Sequence, residues 1–305
     1  MAEHAHDHGL TASGRHKGKL QVVVAITASI LLIQVVGALL SGSIALIADA
    51  GHMFTDVGGI TLALVAINLA ARPATSKRTF GLVRAEILAA AANGAVLLVL
   101  GGYVLYESLG RLAEPPAVQT GTMLAFGLIG LVGNVVSMAV LIRVKGESLN
   151  LQGAFLEVAT DTLGSVGVVA AAVISGLTGF TRADAIAALL IVVLIVPRAL
   201  RLLRKAVNVL LEGTPEEIDP EEVRRHILTV PRVTDVHDLH VWTLTSGMPV
   251  LSAHVVIEND CFADGAAPRM LDSLQHCLAG HFDVEHSTFQ LEPETHADHE
   301  HPAHA

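Results

Sequence analysis

Two pairs of potential metal ligands lie within otherwise apolar stretches of the sequence. His52 and Asp56 are four residues apart, and Glu157 and Asp161 have the same spacing. Residues at this spacing share one face of an α-helix. If the two helices face each other, one imidazole and three carboxylates meet at a common point. Four such ligands suit a tetrahedral zinc ion, and also cobalt, iron(II), manganese or cadmium.

The residues around the two pairs also correspond. A threonine precedes the aspartate in both, and small residues follow, Gly58 and Gly59 after the first pair and Gly164 and Ser165 after the second. Small residues let two helices approach closely. The alternative is a polar cluster that only bonds helices together, but two matching pairs favour a ligand set. Asp49, one turn before the first pair, is a weaker ligand candidate and could instead support the site or the helix packing.

The charge of this set suggests a coupling to protons. Three carboxylates facing one divalent cation leave excess negative charge, so protons are expected to compete with the metal for the same groups. A site that releases metal as it takes up protons is a physical basis for antiport.

The helices that carry these residues are predicted to span a membrane. The chain has 305 residues, of which 52% are hydrophobic and 16% charged. An ionisable side chain inside a span costs about 2.5–3.5 kcal/mol on insertion scales and therefore needs a reason. Six apolar runs have the length that a bilayer requires, at about 20–40, 44–70, 85–109, 118–142, 153–176 and 183–203.

The distribution of Lys and Arg predicts the orientation. Thirteen of these residues, Arg198 among them, are assigned to inner segments, and two, Arg111 and Arg182, to outer loops. This bias predicts a multi-pass protein of the cell inner (plasma) membrane, embedded in the lipid bilayer, with both termini cytoplasmic. The net charge of −10 and the lack of a basic stripe argue against nucleic acid as a partner.

The polar remainder of the chain predicts a second domain. A helix capped by Asp219, two strands around a turn at Gly247, a helix at 268–279 and a strand at 288–291 give the order αββαβ. The predicted fold class is therefore an α-helical membrane protein with six transmembrane helices and a small cytoplasmic α+β domain, ferredoxin-like or metallochaperone-like. The predicted divisions are a His-rich tail at 1–19, the transmembrane domain at 20–204, the cytoplasmic domain at 205–293 and a His-rich tail at 294–305.

Several motifs together resemble the cation diffusion facilitator family, in its zinc-transporter-like branch. They are the second-span segment 48–56, the inner-loop segment 78–86, the fifth-span segments 148–155 and 164–167, and the soluble-domain segments 236–242, 251–254 and 286–292. The resemblance implies six spans, a metallochaperone-like cytoplasmic domain, a homodimer and metal export driven by inward proton flow.

The resemblance also bears on the ligands. The family's transport site matches His52, Asp56 and Asp161, but its zinc-selective members have histidine where this chain has Glu157. A hard carboxylate oxygen there leaves strict zinc selectivity open and makes manganese, cobalt, iron and cadmium more plausible substrates.

The resemblance further implies a metal site in the cytoplasmic domain. The matching positions are His237, His254 and Glu292, with His240 and His286 as less favoured neighbours. The alternative is that these side chains only bond to the backbone or pack. The chain has 16 histidines, and His52 alone lies in the apolar two-thirds of the sequence. The histidines of the two tails are expected to capture metal weakly or simply to be solvated.

The leading hypothesis is a secondary transporter with no catalytic residue: a proton-coupled antiporter that exports divalent transition metals, zinc first, from the cytoplasm. One alternative is a broad-range exporter of manganese, cobalt, iron or cadmium. A membrane-embedded metallohydrolase would keep a coordination position open for water, and the sequence has no His-Glu-x-x-His motif. A metal sensor without flux would not need six spans.

Overall fold

A computed structural model describes residues 17–142, 149–282, 284 and 286–296. Most of both predicted His-rich tails, and the inner-segment residues Arg143 and Lys145, lie outside the described residues. The chain divides into two compact units: one comprises the segments up to Leu62 and Ala92–Leu202, and the other Ala63–Ala91 and the segment from Leu203 onward.

Long apolar helices build the first unit, and some of them continue into the second. Among the residues that the structure describes, five helices are long and apolar enough to cross a membrane, whereas the apolar part of the first helix, Ala25–Ser41, is shorter. The structure therefore confirms an α-helical membrane protein with five to six spans. The count is six if the first helix also crosses the membrane. The helices are α1 Lys17–Ser41, α2 Ile44–Ala70, α3 Ala85–Ala113, α4 Thr120–Leu141, α5 Leu149–Thr178 and α6 Ala183–Leu210.

The start of α2 is held by a carboxylate from α6. The backbone N–H of Ile44 donates to Asp184 Oδ2 at 2.8 Å, and the Ser43 hydroxyl donates to Asp184 Oδ1 at 2.5 Å. The first N–H groups of a helix have no partner within the helix and carry partial positive charge, so a carboxylate there satisfies them. This contact fixes α2 against α6 at the end from which α2 runs on to His52.

A buried polar chain connects four helices beside the ligand pairs. Gln34 of α1 donates to Asp49 Oδ2 of α2 at 2.7 Å, and Ser165 of α5 donates to the same oxygen at 3.3 Å. Asn134 of α4 in turn donates to the Ser165 hydroxyl at 3.1 Å. Such bonds hold helices together where apolar packing alone is not selective.

The second unit contains the predicted small α+β domain. Asp219 caps α7 by accepting from the Glu221 N–H at 3.0 Å. The three-stranded sheet has the order β1-β2-β3, with β1 antiparallel and β3 parallel to β2. A short helix, α8, is an addition to the predicted order. The elements are α7 Pro220–Ile227, β1 Val233–Thr245, β2 Met248–Ile257, α8 Asp260–Ala263, α9 Ala267–Phe282 and β3 His286–Pro293.

The loop between α2 and α3, which is predicted to be an inner loop, belongs to this second unit. Glu86 accepts hydrogen bonds from Thr245 at 2.8 Å and from Ser246 at 3.2 Å, both at the β1–β2 turn. The Phe80 ring packs edge-on against the His286 ring, with centroids 5.4 Å apart. Composition along the chain does not predict this association. The domain boundaries drawn from composition stay predictions.

Candidate metal centres

Three of the four predicted ligands in the spans come together. His52 Nε2 lies 3.4 Å from Asp56 Oδ2 on α2 and 3.5 Å from Asp161 Oδ1 on α5. The three ligand atoms all lie within 4.8 Å of one another. We call this group the intramembrane triad. It forms because the i, i+4 spacing places two of its members on one face of α2 and that face meets α5.

The spacing within the triad matches the needs of a small metal ion. Ligand atoms about 2.0–2.1 Å from a tetrahedral zinc ion are separated from each other by about 3.3–3.4 Å. The two measured separations from His52 Nε2, 3.4 and 3.5 Å, fall close to that value. They also exceed the usual length of a hydrogen bond between nitrogen and oxygen. The arrangement thus fits joint coordination better than direct bonding.

The triad also carries polar atoms that are buried and have no hydrogen-bond partner. Both ring nitrogens of His52, Oδ2 of Asp56 and Oδ1 of Asp161 are in this state. Burying such groups without a partner is costly, and unsatisfied groups in a folded protein call for an explanation such as an ion. A divalent cation held between them would supply the missing interaction.

Glu157 does not join the triad at this spacing. Its Oε2 accepts a charge-assisted hydrogen bond from Nη2 of Arg198 on α6, while its Oε1 is buried without a hydrogen-bond partner. Its position on α5, one turn before Asp161, keeps it adjacent to the triad. Its role as a ligand stays a prediction.

Arg198 is a residue of this site that the sequence reasoning missed. The orientation argument counts it with the inner positive charges, but it lies within α6 and pairs with Glu157. Without Arg198, twelve basic residues remain on the predicted inner side and two on the outer side, so the predicted orientation does not change. The missed signal was a charged residue inside the predicted span 183–203, which requires a partner.

Asp49 is placed differently from the triad. Its Oδ2 accepts from both Gln34 and Ser165, so the carboxylate already has partners on two other helices. A Cβ added at Gly164 would lie 3.0 Å from Asp49 Oδ1, which explains the small residue at that point of α5. The bonding pattern favours interhelical packing over metal ligation.

The ligands predicted for the small α+β domain also cluster. His237 Nε2 lies 3.1 Å from Glu292 Oε2, and His254 Nδ1 lies 2.8 Å from Glu292 Oε1. One ligand atom from each residue lies within 4.8 Å of the other two. The sheet explains the convergence, because His237 and His254 are partners across β1 and β2, and Glu292 lies on the neighbouring strand β3. We call this group the sheet triad.

Two neighbours complete the sheet triad's surroundings. Gln290 Nε2 donates to Glu292 Oε1 at 2.8 Å. Asp238, which the sequence reasoning did not select, lies 3.0 Å from His240 Nε2 and 3.8 Å from His254 Nε2. Its positive φ of 48° coincides with an irregularity in the β1–β2 register. Its place between His237 and His240 in the sequence was the available signal.

The less favoured candidates lie outside both triads. His240 contacts Asp238, and His286 packs on Phe80. Neither cysteine of the chain is a predicted ligand: Cys261 is buried in the core of the small domain, and burial raises the pKa of the Cys277 thiol, which makes the metal-binding thiolate harder to form.

Comparison with known proteins covers nearly the whole chain. A family model described as the cation efflux transmembrane domain matches residues 20–211, and one described as the cation efflux protein cytoplasmic domain matches residues 215–294. A solved structure of the metal-bound C-terminal domain of the CzcD transporter from Cupriavidus metallidurans is 42% identical to the matched part. It covers 25% of this chain and 99% of that chain with a TM-score of 0.22, so the superposition itself supports no argument.

Full-length relatives have similar coverage. The metal cation efflux system protein CzcD of Cupriavidus metallidurans is 44% identical over 95% of this chain and 90% of its own length. The zinc transporter ZitB of Escherichia coli is 39% identical, covering 94% of this chain and 92% of its own length. The cadmium, cobalt and zinc/H(+)-K(+) antiporter of Bacillus subtilis is 36% identical, with 95% and 93% covered.

Proposed function

We propose a metal-binding site and a counter-ion for transport by this chain, which belongs to the cation diffusion facilitator family. It is a multi-pass membrane protein and a secondary transporter, not an enzyme, for the efflux of divalent metal cations that include zinc. The transport site is the intramembrane triad, His52, Asp56 and Asp161, with Glu157 as the fourth ligand.

One observation carries this assignment: the triad's buried ligand atoms have no hydrogen-bond partner and stand at the separation of a coordination shell. Ionisable side chains inside a span cost free energy on membrane insertion, so their presence on two apolar helices indicates a functional role. Transporters of many folds bind their substrate near the middle of the membrane, where two sets of helices rock around it.

Protons are the proposed counter-ion. The three carboxylates of Asp56, Glu157 and Asp161 can bind either protons or a metal, and a relative at 36% identity is named as an H(+)-K(+)-coupled antiporter. We also place both termini in the cytoplasm, the protein in the plasma membrane, and two copies of the chain in a homodimer joined through the cytoplasmic domain. These three proposals follow from the charge bias and from the family.

The metal range is a second aspect of the proposal. Zinc is the first candidate, because the imidazole of His52 lies at zinc-like separations from the two carboxylates of the triad. Glu157 favours a broader range that includes cobalt, cadmium and manganese, since it adds a hard oxygen where an imidazole would be more selective. A relative named for cadmium, cobalt and zinc fits the same range.

The sheet triad is the proposed second metal site. Glu292, which is buried, brings two imidazoles together at its two oxygens. Two imidazoles and a carboxylate are a ligand set that zinc accepts, with a further position for Asp238, water or a partner chain. We propose that metal bound there regulates or feeds the transporter and is not on the path through the membrane.

Flux through reconstituted vesicles tests the transport site. Zinc uptake into proteoliposomes driven by an opposing proton gradient should fall at least a hundredfold in Asp56→Ala and in Asp161→Ala, because each loses a ligand. The matched control is Glu114→Gln, which also removes one carboxylate but at an exposed position just after α3. That variant should transport like the native protein.

Two results would contradict the proposal. Native-like uptake in both aspartate variants would remove the triad from the transport path. If zinc uptake by the native protein does not depend on the proton gradient, the antiport mechanism is wrong, but the assignment of the transport site is unaffected. Competition among zinc, cobalt, manganese, iron and cadmium in the same vesicles establishes the substrate order.

A further inference from the structure

The partner of Glu157 is a cation that the protein itself provides. Arg198 lies within α6, on the third helix around the triad, and its Nη2 donates to Glu157 Oε2. An arginine inside a membrane span is costly unless it is paired. Guanidinium keeps its charge at any physiological pH, so this cation cannot be removed by a change in pH.

The pair alters the charge of the transport site. Asp56, Glu157 and Asp161 carry three formal negative charges when ionised, and Arg198 carries one positive charge, which leaves a net −2. That value equals the charge of a divalent cation with the sign reversed. The excess negative charge predicted from the four ligands alone is therefore offset by one unit. The nearby Asp49 accepts hydrogen bonds from Gln34 and Ser165, which are neutral donors, so the sum of −2 describes only these four side chains and does not include Asp49.

The pair with Arg198 also determines how the carboxylate of Glu157 is oriented. One carboxylate oxygen is bound to Arg198, and the other is buried without a hydrogen-bond partner beside the triad. A metal ion in the triad and the guanidinium thus compete for the same carboxylate. The competition weakens the hold of Glu157 on the metal relative to a carboxylate with no such partner.

We propose that Arg198 is a positioning residue of the transport site, which holds Glu157 and cancels the negative charge that Glu157 adds. This inference rests on the proposed function of the triad and deepens it. Arg198 acts as a built-in counter-ion that keeps metal affinity low enough for release. The transport site of this chain therefore consists of five residues, the four ligands and Arg198. The negative charge of residue 157 is balanced by the positive charge of residue 198.

Opposite charge changes should produce opposite effects on metal affinity. Arg198→Met leaves the site one unit more negative, so the KM for zinc uptake should fall about tenfold, and the maximal rate should fall as well because release slows. Glu157→His leaves Arg198 without its partner beside an incoming dication, so the KM should rise about tenfold. A residue that only supported the fold would not lower the KM when removed.

The combined variant gives the decisive measurement. Glu157→His with Arg198→Met restores a net charge of −2, so its KM should return to within about threefold of the native value. Its metal order should move toward zinc, because an imidazole replaces a carboxylate oxygen. Arg198→Lys keeps the charge and should remain close to native in both constants, which controls for loss of the arginine side chain as such.

The outcomes separate this inference from the proposed function. If Asp161→Ala transports normally, the transport site itself is wrong. If Asp161→Ala is inactive while Arg198→Met keeps native KM and maximal rate, only the role of Arg198 is overturned. A raised KM in Arg198→Met, or a double variant worse than Glu157→His, overturns it too. If Arg198→Met alone fails to fold, the comparison of Glu157→His with the double variant and with Arg198→Lys still decides.

Discussion

Two aspartates in the spans are about equally buried but differ in their bonding. Asp49 is 1% exposed and Asp161 is 3% exposed. Asp49 accepts two hydrogen bonds from neighbouring helices, whereas Oδ1 of Asp161 has no hydrogen-bond partner. Within the spans, unsatisfied bonding and not burial distinguishes the candidate ligand Asp161 from the packing residue Asp49.

This contrast predicts that the two aspartates fail in different ways. Asp49→Ala leaves Gln34 and Ser165 without their acceptor, so it should lower the stability of the detergent-solubilised protein by about 1 kcal/mol and leave zinc affinity near native. Asp161→Ala should abolish binding at the intramembrane site without lowering the melting temperature, because it removes an uncompensated buried carboxylate. Thermal unfolding and equilibrium zinc binding on the same samples measure both.

The prediction for Asp49 has a clear contrary outcome. A loss of zinc affinity in Asp49→Ala as large as that in Asp161→Ala would make Asp49 a ligand. Asp49→Asn is the matched control, since the amide oxygen can still accept from Gln34 and Ser165 and should preserve the melting temperature.

At the scale of elements, close contacts between helices depend on particular glycines. A Cβ added at Gly37 of α1 would lie 2.3 Å from Cγ and 2.5 Å from Cβ of Phe126 on α4. Atoms so near the backbone of Phe126 cannot move aside without shifting the ring. By contrast, Gly121 on the same helix α4 has nothing within 4 Å of an added Cβ.

Alanine at these two glycines should therefore give unequal effects. Gly37→Ala forces α1 and α4 apart and should destabilise the protein by about 1–3 kcal/mol, the usual cost of overpacking. Gly121→Ala, the control, should be neutral or slightly stabilising because alanine favours the helix. Thermal unfolding in one detergent compares them, and equal melting temperatures would contradict the close packing of α1 on α4.

At the scale of the whole molecule, the candidate metal centres lie one in each compact unit. The intramembrane triad belongs to the helical unit, and the sheet triad belongs to the unit that contains the small sheet. Their ligand sets share no residue. We therefore expect each centre to hold a metal ion of its own even when a ligand of the other centre is removed.

Independent binding predicts a stoichiometry that falls in steps. The native full-length chain should bind about two zinc ions per chain at equilibrium, Asp161→Ala one, Glu292→Gln one, and the double variant none. Metal analysis after equilibrium dialysis gives the counts. His286→Ala is the control for loss of a histidine outside the triads and should still bind two. A native count of one that only Asp161→Ala abolishes would contradict a site at the sheet.

The sequence alone determined the elements and most of the ligand candidates. Apolar runs of bilayer length predicted the helices, because no other backbone structure satisfies its polar groups over such a run in lipid apart from a closed barrel. The i, i+4 spacing placed His52 with Asp56, since helical geometry is local. Alternation and turn residues likewise predicted the strands at 233–244 and 250–257, close to their observed bounds.

Only the tertiary structure decided which side chains on different helices meet. Neither periodicity nor composition could assign Arg198 to Glu157 or Gln34 to Asp49, because contacts between distant segments depend on how whole helices pack. The same limit applies to Glu86 and the β1–β2 turn. Helix spacing thus made Glu157 a ligand candidate, and helix packing gave it an arginine partner that changes the charge of the site.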